Sequence, residues 1–260
     1  MKKTALITGA TVNTGVAIVE KFAAEGYDVI FTGRSAESVN SAQQRYQENF
    51  PAASIKGYAL PSLTEEGLAN EKAVKELFEA LDTEGIFVET LVLNAADQGL
   101  GQKIFENPLE DFVRVLHTNV VWNYCLCEQA AKRMKERGSG NIVFVNSNTA
   151  YRAIPDRISY VTSKGGQLGL MRALAMDLGK YGIRVNAVLP GMIRTDRWVK
   201  NPEFYAKVPS RYTPIGDVAD GADIADAIYY FAAHARNTTG AELVVDGGYT
   251  IQLYPIIPEN

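Results

Sequence analysis

The sequence holds only two cysteines and two histidines in 260 residues. Cys125 and Cys127 lie two apart in a segment of helical pattern, so they face different directions and suit neither a disulfide nor a metal site. With only His117 and His234 to add, a zinc cluster is not available, and metal-independent chemistry in a reducing cytoplasm is expected. Basic runs are missing too. The 26 Lys and Arg residues are dispersed among 30 Asp and Glu, for a net charge of −4, which argues against nucleic acid as a partner. No uninterrupted apolar stretch approaches the roughly 18 residues of a membrane span, so no membrane partner is expected. The start, Met1-Lys2-Lys3 before Thr4-Ala5-Leu6-Ile7, carries the charge of a signal peptide, but Thr8, Gly9, Thr11 and Asn13 interrupt its apolar part. Internal repeats, low-complexity tracts and flexible linkers are likewise absent.

What remains is a chain with 47% apolar and 22% charged residues, enough to bury a large core. Short apolar runs recur: Ala5-Leu6-Ile7, Val29-Ile30-Phe31, Leu91-Val92-Leu93, Ile142 to Val145, Val185 to Leu189 and Leu243-Val244-Val245. Runs without polar alternation indicate strands covered on both faces, and the amphipathic stretches between them read as crossover helices. The expectation is an α/β fold: one Rossmann-like domain over residues 1–260, its doubly wound parallel sheet of six or seven strands flanked by helices on both faces. The weaker strand falls near Ser54 to Leu60. One region breaks the rhythm, residues 194–220, where Pro202, Pro209 and Pro214 stand among aromatics. An insertion there, at the carboxyl edge of a sheet, suits a substrate loop.

Two local patterns carry chemistry. Thr8-Gly9-Ala10-Thr11-Val12-Asn13-Thr14-Gly15 follows the first strand and opens a helix, placing free amides and a positive dipole end above the strand, as a pyrophosphate requires. Gly9 permits a tight turn and Gly15 a close helix-to-strand approach, while Asn13 is among the few side chains that tolerate positive φ. Further on, Tyr160 and Lys164 are one helical turn apart on one face. A nearby ammonium favours the phenolate, so this phenol is a candidate general acid or base toward a carbonyl or alcohol.

Ser147, at the end of the run Ile142 to Val145 and thirteen residues before Tyr160, completes with the phosphate loop a pattern that resembles the short-chain dehydrogenase/reductase family. The resemblance extends through Asn94-Ala95-Ala96, through Asn119 as the opening of a helix continuing into Val120 and Val121, and through Pro190-Gly191-Met192-Ile193-Arg194-Thr195 to Thr239–Gly248. It implies an NAD(P)-dependent oxidoreductase acting on CH–OH groups. Ser147 would hydrogen-bond the substrate oxygen and Tyr160 exchange a proton with it. Lys164 would lower the Tyr160 pKa and hold the nicotinamide ribose, and Asn119 would anchor a water leading from Lys164 to solvent. Gly9, Thr11, Asn13, Thr14, Gly15, Asn94, Ala95, Pro190, Gly191, Ile193 and Thr195 would line the cofactor with them. Asp97, Tyr151, Arg152, Met192, Trp198, Tyr205 and Tyr212 lie in segments that form the substrate pocket in relatives, and suit a sugar, a polyol or a steroid.

At the end of the second strand, Gly33 stands where NAD-using relatives carry an Asp, and Arg34 with Ser35 follows, which points to NADP(H) over NAD(H). Relatives pair their long helices into tetramers. The corresponding helices here, near Asn119 and Arg157, carry Val120, Val121, Leu126, Leu168, Leu170, Leu174 and Met176 as candidate contact residues for a homo-oligomer. The competing reading is a catalytically weak NAD(P)-binding or sensing protein of the same fold, which the altered loop at Asn13 favours and the full set Ser147, Tyr160, Lys164 and Asn119 opposes.

Overall fold

The computed structural model describes residues 2–205 and 212–254. Among the described residues seven strands occur: β1 Thr4–Ile7, β2 Asp28–Gly33, β3 Ile55–Ala59, β4 Thr90–Leu93, β5 Gly140–Val145, β6 Ile183–Pro190 and β7 Glu242–Val245. All pair in parallel in the order β3-β2-β1-β4-β5-β6-β7. The weak run near Ser54 is thus a genuine edge strand. The direction of winding reverses between β1 and β4, and that switch point opens a crevice at the carboxyl edge of the sheet.

The helices are α1 Thr14–Ala24, α2 Ala36–Asn49, α3 Glu71–Thr83, α4 Leu109–Leu116, α5 Trp122–Arg137, α6 Ile158–Leu178, α7 Asp196–Lys200, α8 Pro202–Tyr205 and α9 Gly221–Ala233. Neighbouring strand residues feed opposite cores. Leu6, Leu91, Leu93, Ile142 and Phe144 pack with α3, α5 and α6, whereas Ala5, Ile7, Val92, Val143 and Val145 pack with α1, α2 and α9. Both faces being dry, every position rewards an apolar side chain by about 1.5–3 kcal/mol for a large one, which is why the runs show no polar alternation.

Two expectations need correction. Asn119 does not open a helix: α4 and α5 are joined through a π-helical turn, His117–Val121, and Asn119 sits inside it. Helical propensity is unbroken across Leu109–Arg137, so only the wider hydrogen-bond spacing of the turn marks the position. Leu126 and Leu168 are core residues rather than contact residues, while Val121, Tyr124 and Met176 are exposed. Cys125 and Cys127 are both free and buried. Among the described residues no helix is long and apolar enough to cross a membrane, and no group of His, Cys, Asp or Glu could hold a metal.

The excursion after β6 is pinned at its base. Ile193 bridges Ala219, Arg194 N donates to Ala219 O at 2.8 Å, and the Arg194 guanidinium pairs with Asp217. Its segment 206–211 lies outside the described residues, as does the side chain of Tyr205.

Candidate active site

The loop between β1 and α1 is shaped by contacts a larger residue would destroy. Gly9 adopts φ +63°, and a Cβ there would lie 2.8 Å from Ala95; at Gly15 it would lie 2.6 Å from the Gly9 carbonyl oxygen. Thr8 Oγ1 accepts the amides of Asn94 and Ala95, and Asn94 Nδ2 donates to the Thr8 and Gly9 carbonyls, each at 3.0 Å. The end of β4 therefore holds the loop from below. Asn13 occupies φ 50°, ψ −132°, and its Oδ1 accepts from Asp196 N instead of capping α1. With neither a side-chain cap nor an acidic residue in its first turn, α1 presents free amides to the crevice. From α2, Tyr46 Oη donates to Ala10 O at 2.6 Å and Arg45 Nη2 to Thr11 O at 3.1 Å.

A cleft of about 1180 Å³ runs over this loop. One end is formed by Gly33, Arg34, Ser35 and Ser38 with Leu60 to Leu63, and carries one exposed cation, hydroxyls and no carboxylate among the described lining residues. Its middle passes Gly9 to Gly15, Asn94 and Ala95; the far end is bounded by Ser147, Tyr160, Lys164, Pro190, Gly191, Ile193, Thr195 and Trp198. An extended dinucleotide fits this shape: the bare glycine cradle faces a pyrophosphate and the two ends face its nucleosides.

At the far end, Ser147 caps the short turn Asn148–Ala150 and accepts Thr149 N at 3.2 Å. Its own amide donates to Asn146 Oδ1 at 2.7 Å. Tyr160 and Lys164 come from one face of α6, with the ammonium 5.5 Å from the ring centroid. Lys164 Nζ donates to Val145 O at 2.9 Å and Gln167 Oε1 at 3.1 Å. Burial pulls the Lys164 pKa down to about 7. Burial likewise raises the Tyr160 phenol, against the pull of a Ser147 hydrogen bond and the Arg157 charge. The depressed phenol anticipated from the motif is thus not found in this arrangement. Desolvation of the enclosed phenol is the dominant influence on it.

The decisive comparison is with a family model described as enoyl-(acyl carrier protein) reductase, which matches residues 9–250. The chain belongs to the short-chain dehydrogenase/reductase family. It is an oxidoreductase of that family. It is 35% identical over 248 residues to a 3alpha-hydroxysteroid dehydrogenase of Mediterraneibacter gnavus, covering 94% of this chain and 96% of that protein. Among solved structures it resembles ElxO with NADP bound at 28% identity and a TM-score of 0.86, covering 97% of this chain and 100% of the other. It also resembles an NAD+-bound xylitol dehydrogenase at 26% identity and 0.82, covering 95% and 98%.

Within this short-chain dehydrogenase/reductase site, every residue anticipated for cofactor or chemistry lines the cleft except Asn119, which is fully buried behind Asp97. Its side chain clamps the Asp97 backbone: Nδ2 donates to Asp97 O and Oδ1 accepts Asp97 N, both at 2.8 Å. Asp97, Met192 and Trp198 line the cleft as anticipated. Tyr151, Arg152 and Tyr212 do not: Tyr151 Oη donates to Glu242, Arg152 to Thr250 O, and Tyr212 stacks edge-on against Tyr249. Sequence reasoning missed Arg114, which reaches the cleft from α4 and pairs with Asp97, and Gln167 behind Lys164. Arg114 has no local signal, whereas Gln167 lies three residues past Lys164 and so shares its helix face.

Proposed function

We propose that this enzyme moves a hydride between NADP(H) and the carbonyl or secondary alcohol of a small molecule, a sugar, polyol or steroid, using Ser147, Tyr160, Lys164 and Asn119. The observation that carries the reading is the convergence of Ser147, Tyr160 and Lys164 at the carboxyl edge of β5, at the end of a cleft that begins on the phosphate loop. When bound, the nicotinamide supplies or accepts the hydride. In reduction, the Ser147 and Tyr160 hydroxyls donate hydrogen bonds to the carbonyl oxygen, and the Tyr160 proton passes to that oxygen as negative charge develops. The phenolate left behind is stabilised by the Lys164 ammonium, and oxidation of the alcohol runs the same proton in reverse. Lys164 and Tyr160 would also hold the nicotinamide ribose, while Asn119 fixes Asp97 at the cleft wall.

Three features support NADP(H). Arg34 stands exposed at the end of β2, Arg45 brings a second guanidinium to Thr11 O, and the lining at this end has no described carboxylate. Ser35 differs from expectation in that its Oγ already accepts Ser38 N as the cap of α2. Its free role is therefore smaller than that of Arg34. The described parts of the 194–220 excursion suit a substrate loop on a single domain, since Ile193 bridges Ala219 at its base while Thr195, Asp196 and Trp198 line the cleft. The exposed Val121, Tyr124 and Met176, together with Gly165 and Gly169, which have open space above them, suit helix pairing in a homotetramer. We place the enzyme in the cytoplasm, where two free cysteines stay reduced.

The test is cofactor oxidation against a panel of ketoses, polyols, steroids and acyl ketones with wild type and Tyr160→Phe. Turnover that collapses while cofactor binding persists is the expected result. Turnover within about threefold of wild type would remove Tyr160 from the chemistry. Cofactor binding without turnover by the wild type on any substrate would favour the sensing role.

A further inference from the structure

We infer that Gln167 is a positioning residue that fixes the direction of the Lys164 ammonium and sets its charge through the hydrogen bond it accepts. The inference rests on the reading of Lys164 as part of the reacting centre.

The Gln167 amide is held on three sides. Its Oε1 accepts Lys164 Nζ at 3.1 Å and Asn146 Nδ2 at 3.1 Å, and its Nε2 donates to Asn119 O at 2.7 Å. The orientation of the amide follows from its neighbours. Two donors, an ammonium and an amide, face one end and a carbonyl faces the other, so the flipped amide would oppose donor to donor and oxygen to oxygen. Lys164, Gln167, Asn119 and Asn146 are each exposed by 4% or less. The π turn is part of the device, because it turns the Asn119 carbonyl toward side chains, where it accepts both Gln167 and Asn123 Nδ2. The Gln167 side chain thus links the Lys164 ammonium to the Asn119 carbonyl.

That link fixes where the ammonium points. Peptide and amide oxygens accept a hydrogen bond but are far too weakly basic to take a proton from an ammonium. Both described acceptors of Lys164, Val145 O and Gln167 Oε1, are of this kind. The remaining N–H of the ammonium is left for the cleft that Lys164 lines. The groups that face this ammonium are Tyr160 from its own helix and Ser147 beyond it, with Arg157 acting on Tyr160 and the Asp97–Arg114 pair lying behind Asn119. No carboxylate among the described residues touches Nζ. Gln167 is therefore the side chain best placed to set the Lys164 charge.

The experiment compares Gln167→Glu and Gln167→Leu with wild type by two measurements. One is the NMR titration of isotope-labelled lysine in the protein alone, and the other is the pH dependence of kcat and KM. In Gln167→Glu a carboxylate should raise the Lys164 midpoint by about one unit or more, carrying the pH limit of carbonyl reduction up with it. In Gln167→Leu the midpoint should fall, with kcat lower by about ten- to a hundredfold and cofactor KM little changed. Gln167→Glu retains the acceptor, so it keeps the test open should Gln167→Leu fail to fold. Thermal unfolding lowered in either variant with the titration and pH profile unmoved would overturn the inference and leave Gln167 a packing residue. If instead Tyr160→Phe keeps its turnover, the underlying reading of the site fails, whatever Gln167 does.

Discussion

The Lys164 ammonium lies 5.5 Å from the centroid of the Tyr160 ring, and both groups are driven by burial toward their neutral forms. Carbonyl reduction needs the phenol protonated and the ammonium charged. Tyr160 is raised and stays protonated through the neutral range, so under the proposed mechanism Lys164, with its midpoint at about 7, is the group expected to limit activity as pH rises. The kcat for reduction should fall as pH rises through about 7, and a pH–rate profile over roughly pH 5.5 to 9 checks this. A profile flat across that range would show that Lys164 does not titrate there.

The same burial makes Lys164 a cost to folding. Its folded midpoint of about 7 lies below the unfolded value near 10.4, so between them the unfolded chain binds more protons and stability must rise with pH. The penalty is fully present below about pH 7 and fades toward the unfolded value. Lys164→Met should therefore be more stable than wild type at pH 7, with the gap narrowing by about 2–3 kcal/mol between pH 7 and 9. Denaturant unfolding at the two pH values measures it, and a gap independent of pH would contradict the argument.

Asn13 holds a backbone conformation, φ 50° and ψ −132°, that favours glycine, and it offsets the strain through Oδ1 on Asp196 N. Asn13→Ala keeps the strain and loses the hydrogen bond. It should be less stable than Asn13→Gly by about 1–2 kcal/mol. Asn13→Gly should match wild type in stability but loosen α7, raising KM for the substrate more than it changes kcat. Thermal unfolding of the pair decides the first point and steady-state kinetics the second.

The sheet was legible because strands dry on both faces need apolar residues at every position, and Leu91-Val92-Leu93 or Ile142 to Val145 satisfy that demand without regard to register. Ser147, Tyr160 and Lys164 were legible because their geometry is set by short offsets along one strand end and one helix face. Asn13 could be placed because few residues tolerate its φ. The π turn at Asn119 left no mark, since its residues also suit an α-helix. Arg114 and Arg45 could not be placed from sequence, as each reaches the cleft or its loop from a separate helix through tertiary packing. Tyr151 and Arg152 were misplaced because the turn after Ser147 directs them to Glu242 and Thr250, outside the cleft.

The proposed preference for NADP(H) is tested at two adjacent residues, Gly33 and Arg34. A Cβ at Gly33 would lie 2.5 Å from Thr11 Cγ2 and 2.8 Å from Val39 Cγ2, so packing leaves no room for the carboxylate that would hold adenosine ribose hydroxyls. Gly33→Asp would therefore test folding as much as preference, and Arg34 is the better probe. Arg34 is exposed on the cleft, where its guanidinium can grip a 2′-phosphate, while Arg45 is committed to Thr11 O and contributes its charge from behind. Removing one charge-assisted phosphate contact costs about 1.5–3 kcal/mol, or about ten- to a hundredfold in affinity. Arg34→Ala should lose that much in kcat/KM with NADPH and little with NADH, while Arg45→Gln should lose less with NADPH and also lower thermal stability. Parallel kinetics with both cofactors separate the cases. Equal losses with the two, or a wild type that prefers NADH, would mean that the guanidinium at the end of β2 only begins the next helix.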